Sequence, residues 1–428
     1  MKRNFCMAVL VGSVLVVSAA VPEVSNVRAS QGKYSRKVTI NYDLTGASAV
    51  ITLDVLTNGV SIGAANITQA TGVGQKVEPG VDKEIVWDVL VSWPNHKIET
   101  ESVDFKVTAW ALDDPPPVMV VELTGDRAIR FYEDVAQLDG GVTNVKYKTD
   151  CLVFRKIPAK GAVFTMGGKA GDSGSRLPHK VGFTNDFYLG IYEVTQKQLL
   201  TMTIGTRGLP DGWRGSHEQF TTLADADLLP AQSVAYGRGD DAKYYSLMAW
   251  NLWSVTDVQG MRTITDDALL SKIRAHTGLK ADLPTSAQWE FACRAGAVGP
   301  YYNGKGAEDL GEIAWYDGNC TNELTQAAEP HPVGLKAPNA FGLYDMLGNV
   351  WEYVLDKYWS DSYPFAAYEI EPLGPASNTG GTITVRGGSY INEAGNCTNY
   401  QLVPRYCYNL PDESSPYGFR LWAPAEVP

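Results

Sequence analysis

Asp345-Met346-Leu347-Gly348-Asn349-Val350-Trp351-Glu352 is the stretch on which the fold turns. Asp345, Asn349 and Glu352 place hard oxygen donors within eight residues, and an irregular backbone can turn the carbonyls of Gly348 and Val350 the same way. Calcium takes six to eight such oxygens, so one short loop can supply most of a site. An ordinary turn with solvated acids has the same spacing. The stretch sits in a region, beyond residue 300, made largely of Gly, Pro, Asn and aromatic residues; the whole chain has 42 Gly, 22 Tyr and 11 Trp. Such a region packs through aromatic side chains wedged between loops. Long loops in a compact domain usually bind or react.

Working outward, regular elements are few and punctuated. Thr195 with Gln198 spells a capping box that opens a helix through Leu200. Thr265 caps Asp266-Asp267, acids suited to a helix N-terminus, and Leu269, Leu270 and Ile273 follow on one face until Gly278 ends the helix. Thr285 with Gln288 starts another; Trp289, Ala292 and Cys293 share a face, and Gly296 stops it. Val385-Arg386-Gly387-Gly388-Ser389-Tyr390 pairs two glycines, which permit close backbone approach, with a hydroxyl that can bond in a pocket. Gly171-Asp172-Ser173-Gly174-Ser175 has the order of a serine-protease nucleophile loop, but only His96 precedes it, so a surface loop is the better reading. No phosphate-binding loop or dinucleotide fingerprint is present.

The N-terminal quarter alternates with period two. Val38, Ile40, Tyr42 and Leu44 share one strand face, Ile51, Leu53 and Val55 repeat the pattern, Asn58-Gly59 is a hairpin turn, and Val103 to Ala109 alternate again. These predict an all-β, immunoglobulin- or fibronectin-like sandwich over residues 21–112 with a spacer or adhesion role. Asp113-Asp114-Pro115-Pro116-Pro117 reads as a stiff linker, and 113–149 as linker and lead-in to a domain over 150–428. Residues 1–20 read as a signal peptide: Lys2-Arg3, an apolar run from Met7 to Val17, then Ser18-Ala19-Ala20. A secreted or periplasmic protein follows, with no membrane span. The net charge of −12 and the lack of a basic run exclude nucleic acid and anionic membrane surfaces as partners.

Past the signal five cysteines remain, Cys151, Cys293, Cys320, Cys397 and Cys407. Export favours pairing, and five being odd leaves one over. A reactive thiolate at Cys397 or Cys407 would need an electropositive, partly exposed setting. No zinc-type spacing occurs, and the five histidines are scattered.

Residues about 155–425 resemble the formylglycine-generating enzyme, or sulfatase-modifying factor, domain. The blocks that carry the resemblance come in order: Ile157-Pro158 to Met166-Gly167, Phe187 to Gln196, Leu283-Pro284-Thr285 to Gly296, Pro332-Val333-Gly334, Asn339 to Glu352, Arg386-Gly387-Gly388-Ser389 and Gly418-Phe419-Arg420. The resemblance implies a loop-rich α+β fold of C-type-lectin-like class. It also implies calcium at the loop of Asp345, Gly348, Val350 and Glu352, to which the spacing adds Asn349, and a second calcium stretch near Ala314–Thr325. Members that make formylglycine oxidise a substrate cysteine with O₂ and a copper(I) ion held by two cysteines five residues apart. Counted from Ser389 those positions are Asn392 and Cys397, so the Cu⁺ pair is incomplete, since an amide cannot replace a thiolate toward soft Cu(I). Trp351 and Ser389 match pocket residues, which with Cys397 form the candidate catalytic set. Bacterial relatives imply a Cys293–Cys397 disulfide, with Cys407 as rival partner. An iron-dependent branch of the family uses a separate histidine-bearing domain that this chain lacks.

Two functions are therefore expected: an oxidase of protein or peptide cysteine, or a non-catalytic lectin-like module that binds glycan or protein through the loop at 390–416.

Overall fold

The computed structural model describes residues 20–94, 103–168, 177–203, 226–232, 234, 268–322, 326–358, 368–373, 382–406 and 416–428. The signal segment through Ala19, the Gly171–Ser175 loop, the Thr265 cap and Cys407 lie outside them. The described chain is mixed, mostly strand with few helices.

Strands Glu23–Gln31, Lys37–Thr45, Gly80–Asp88 and Ala70–Thr71 form one N-terminal sheet in that order. Ala49–Thr57 pairs with Val60–Ser61, Lys76–Val77 and Val103–Ala111 in a second. The alternation expected of Lys37–Thr45 is what is seen: Val38, Ile40, Tyr42 and Leu44 are buried against Ile51, Leu53, Val55, Ile85 and Trp87. Thr57 pairs with Val60 across a two-residue loop, with Asn58 at φ 52° and Gly59 at φ 77°. Left-handed values at both positions match the right-handed strand twist.

The second body centres on a five-stranded antiparallel sheet ordered Ile129–Tyr132, Val118–Glu122, Cys151–Ile157, Phe187–Gly190, Trp422–Pro424. Two of these strands come from the segment expected as lead-in. The sheet is covered on both faces: Met119, Val121, Leu152, Phe154 and Tyr188 enter one core cluster, and Val118, Val120, Val153, Phe187 and Leu189 the other. Successive side chains leave opposite faces of a strand, so both sets must be apolar and no polar alternation survives in the sequence. A four-stranded sheet ordered Leu402–Tyr406, Thr382–Arg386, Trp351–Lys357, Tyr417–Gly418 carries the site region.

Helix Gln196–Thr203 opens with the expected reciprocal bonds: Thr195 N–H donates to Gln198 Oε1 at 3.0 Å, and Gln198 N–H to Thr195 Oγ1 at 3.2 Å. Helix Ser286–Arg294 has the same box at Thr285 and Gln288, and Trp289, Ala292 and Cys293 are all buried. Ala295, at φ 44°, takes the left-handed cap one residue before the expected Gly296. Gly278 closes helix Leu269–Thr277 in the left-handed region, as expected.

The proline segment is seated against the second body. Pro115 and Pro116 are buried, Lys156 N–H donates to Pro117 C=O at 2.7 Å, and the Tyr188 hydroxyl donates to Pro116 C=O. A proline lacks the donor but keeps its acceptor, which is how this run bonds to its neighbours. Gly74 of the sandwich donates to Ile51 C=O at 2.7 Å and accepts from Phe131 N–H at 2.8 Å, tying the sandwich to the edge of the five-stranded sheet.

Candidate functional site

The Asp345–Glu352 stretch is irregular up to Val350, and the four-stranded sheet begins at Trp351. Asp345, Gly348 and Asn349 have φ of 53°, 76° and 54°, so the chain turns left-handed three times in five residues. Asp and Asn tolerate this region better than other side-chain-bearing residues. Gly348 lies where a β-carbon would meet the Trp315 carbonyl at 2.1 Å, which reserves the position for glycine.

Four buried charges meet behind the loop. Glu352 is gripped by Arg420, whose Nε and Nη2 reach its two oxygens at 2.6–2.9 Å, and it accepts the Trp289 indole N–H at 2.7 Å. The remaining Arg420 donors go to the carbonyls of Gly190 and Tyr344, each at 3.0 Å. Glu193 accepts the Asn349 side-chain amide at 2.7 Å and the Val350 N–H at 3.1 Å. Burial, then the neighbouring Asp345 and Glu352, push the Glu193 carboxyl well above its ordinary range. Asp345 accepts Gly334 N–H at 2.6 Å, while its other oxygen is buried with no hydrogen-bond partner. Burial raises the Asp345 carboxyl to about 6. A second buried network lies nearby: Arg386 to Glu290 at 3.0 Å, Arg294 to Glu290 at 2.7 Å, and Arg386 to the Ser286 hydroxyl at 2.6 Å.

The expected catalytic residues are closed in. Ser389 and Cys397 are 0% exposed and Trp351 4%. The Ser389 hydroxyl donates to Asn392 Oδ1 at 2.6 Å, and Cys397 Sγ lies 3.9 Å from the Ser389 carbonyl oxygen. Trp351 packs instead with Tyr353, Val385 and Phe419, in a core cluster separate from that of Cys397. Burial pushes the Cys397 thiol up to about 12, so it rests as a protonated thiol. The expected Cys293–Cys397 bridge is not made, and both are free thiols. Cys293 Sγ instead donates to Asn399 Oδ1 at 3.3 Å, so the Asn399 side chain takes the place of a bridging sulfur. Two adjoining clefts, of about 320 and 470 Å³, share Gln288, Glu371, Trp422, Pro424 and Glu426; none of the three expected catalytic residues lines them.

The domain described as "sulfatase-modifying factor enzyme 1-like" matches residues 152–424. The chain belongs to the sulfatase-modifying factor family. It is similar to the formylglycine-generating enzyme of Thermomonospora curvata, 27% identical over 284 residues that cover 61% of this chain and 91% of that one. The formylglycine-generating enzyme of Streptomyces coelicolor is 34% identical over 163 residues, 34% of this chain and 47% of the other. Chaperone protein LppX of Paenibacillus barcinonensis is 27% identical over 224 residues, half of this chain and 77% of the other. Among solved structures, Treponema denticola variable protein 1 aligns over 64% of this chain and 95% of its own, with 18% identity and a TM-score of 0.45.

The metals that membership in the sulfatase-modifying factor family implies can be tested against these donors. Copper(I) wants a thiolate pair, and the position five residues before Cys397 holds an amide, Asn392, already bonded to Ser389. That set does not fit copper. For calcium, Asp345 keeps one uncommitted oxygen, but both Glu352 oxygens face a guanidinium. The Asn349 side-chain oxygen accepts the His331 backbone N–H at 3.0 Å. Among the described residues no group of three or more His, Cys, Asp or Glu is disposed to hold a metal. The side-chain part of the expected calcium set, Glu352 and Asn349, does not fit as arranged. The second expected stretch closes on itself where described: Asn319 Nδ2 donates to Ala314 C=O and Asn319 Oδ1 accepts Tyr316 N–H, both at 2.9 Å.

Reading for ligand spacing missed Glu193, Arg420 and Lys148. The first two carried a signal, a lone charge inside an apolar run (Tyr188 to Val194, and Gly418 to Trp422), which marks a buried, paired ion.

Proposed function

We propose that this chain is a non-catalytic member of its family, an exported binding module for a protein or glycan ligand. One observation carries the reading. Where a copper oxidase needs two thiolates beside an accessible pocket, this chain has Asn392, bonded to Ser389, at the first of the two expected positions and a sealed thiol, Cys397, at the second. The buried charges behind the loop each have a structural partner, and they serve to fasten the loop to its neighbours. The recognition surface is the loop from residue 390, whose described part exposes Ile391, Glu393 and Gly395. The sandwich ahead of it is an immunoglobulin- or fibronectin-like spacer.

The test is turnover. A sulfatase-derived cysteine peptide incubated with the protein, copper and O₂ should remain unconverted by mass spectrometry. Aldehyde formation that disappears in Cys397→Ser would establish the oxidase reading instead. With turnover excluded, a glycan array and a peptide library would separate the two ligand classes.

A further inference from the structure

Asp345, the acid of the expected calcium loop, feels the positive charges of Arg420, Lys148 and Lys336. Arg420 is committed to Glu352, and Lys336 donates to Gly311 C=O at 2.6 Å with its ammonium 3.7 Å from the Trp315 ring centre. Lys148 differs. It is only 5% exposed, its ammonium donates to Val333 C=O at 2.8 Å, and it lies 5.2 Å from the Tyr192 ring centre. The N–H of that same peptide unit, on Gly334, donates to Asp345 at 2.6 Å. One peptide group thus has a buried ammonium at its oxygen and a buried carboxylate at its nitrogen. Each charge strengthens the dipole that the other uses.

The segment carrying Lys148 is itself fixed. Thr195 Oγ1 donates to Lys148 C=O at 2.6 Å, and Gln198 Nε2 to Tyr147 C=O at 3.4 Å. Lys148 also lies just ahead of the family-matching residues 152–424, in the lead-in to the domain. A lysine is rarely buried to this degree without a compensating charge. We infer that Lys148 is the resident cation of the Asp345 loop, and that the domain keeps its fold without calcium. A divalent ion entering beside Asp345 would meet Lys148 and Arg420 with only one carboxylate oxygen uncommitted. The lead-in segment thus supplies positive charge to the loop through the Val333–Gly334 peptide.

Thermal unfolding of the full chain in EGTA and in millimolar calcium tests this. The wild-type midpoint should agree between the two to about 1 °C, since a ligand that does not bind the native state leaves it unmoved. Lys148→Met should lower it by about 5–10 °C, and Lys148→Arg should recover most of the loss. A wild-type midpoint several degrees lower in EGTA, stoichiometric calcium uptake by calorimetry, or a Lys148→Met protein that melts like wild type would each overturn the inference. Should Lys148→Met fail to fold, the wild-type titration and calorimetry decide alone.

Discussion

The two bodies of this chain hold themselves together by different physics. The N-terminal sandwich is closed by apolar faces: Val38, Ile40, Tyr42 and Leu44 meet Ile51, Leu53, Val55 and Trp87, and its salt bridges, such as Arg28–Asp82, sit at the exposed surface. The family domain also has apolar cores, but its loops are fastened by buried ions, Glu352–Arg420 and Glu290–Arg386 foremost. Removing a methylene from an apolar core costs in proportion to its volume, whereas removing one member of a buried pair strands the other charge in a low dielectric. The first body should therefore degrade gradually under mutation and the second abruptly.

The largest expected effect breaks a pair. Arg420→Met should destabilise the family domain by about 3–5 kcal/mol, measured by urea unfolding, because Glu352 and Glu193 lose their guanidinium. A loss below about 1 kcal/mol would erase the contrast between the two bodies. In the sandwich, Leu53→Ala should cost about 2–5 kcal/mol, the transfer and cavity terms of a buried leucine, and that cost should be insensitive to salt and pH. Thr285→Ala removes one half of a capping box and should cost about 1 kcal/mol in the family domain.

The smallest effect is a pH dependence. His331 stacks on Trp315 with ring centroids 3.6 Å apart, and burial lowers its pKa below the ordinary 6.5. A folded value below the unfolded one means this stability is present above pH 6.5 and is lost as pH falls through the folded value. Asp345 and Glu193, both raised, gain stability over the same fall in pH, so the His331 contribution is read as a difference: between pH 7 and 5 wild type should lose stability relative to His331→Phe, which keeps a ring on Trp315.

The sandwich was legible because one face of each strand packs and the other meets solvent, so burial is written into the sequence as alternation. The central sheet of the family domain was not, since Cys151–Phe154 and Phe187–Gly190 are buried on both faces and read as plain apolar runs. The capping boxes at Thr195 and Thr285 were visible because their partners lie three residues away. The pairing of Arg420 with Glu352, 68 residues apart, has no local trace. Lys148, in Lys146-Tyr147-Lys148-Thr149-Asp150, looks like any solvated lysine; only the return of Val333-Gly334 over it makes it an interior charge. The Asp345–Glu352 stretch stands out in the sequence by its clustered oxygen donors. The spacing reads its carboxylates and amide as metal ligands; in the structure Glu352 bonds Arg420, and Asn349 bonds Glu193 and His331.

The hydrogen bonds of Gly74 to Ile51 and Phe131, with the seating of Pro115 and Pro116, have a mechanical corollary. A domain carried on a loose tether samples every heading, and its partner must catch it in passing. Here the front body acts as a mount rather than a leash: a pull or a twist on the sandwich passes into the five-stranded sheet, so the outer loops are aimed.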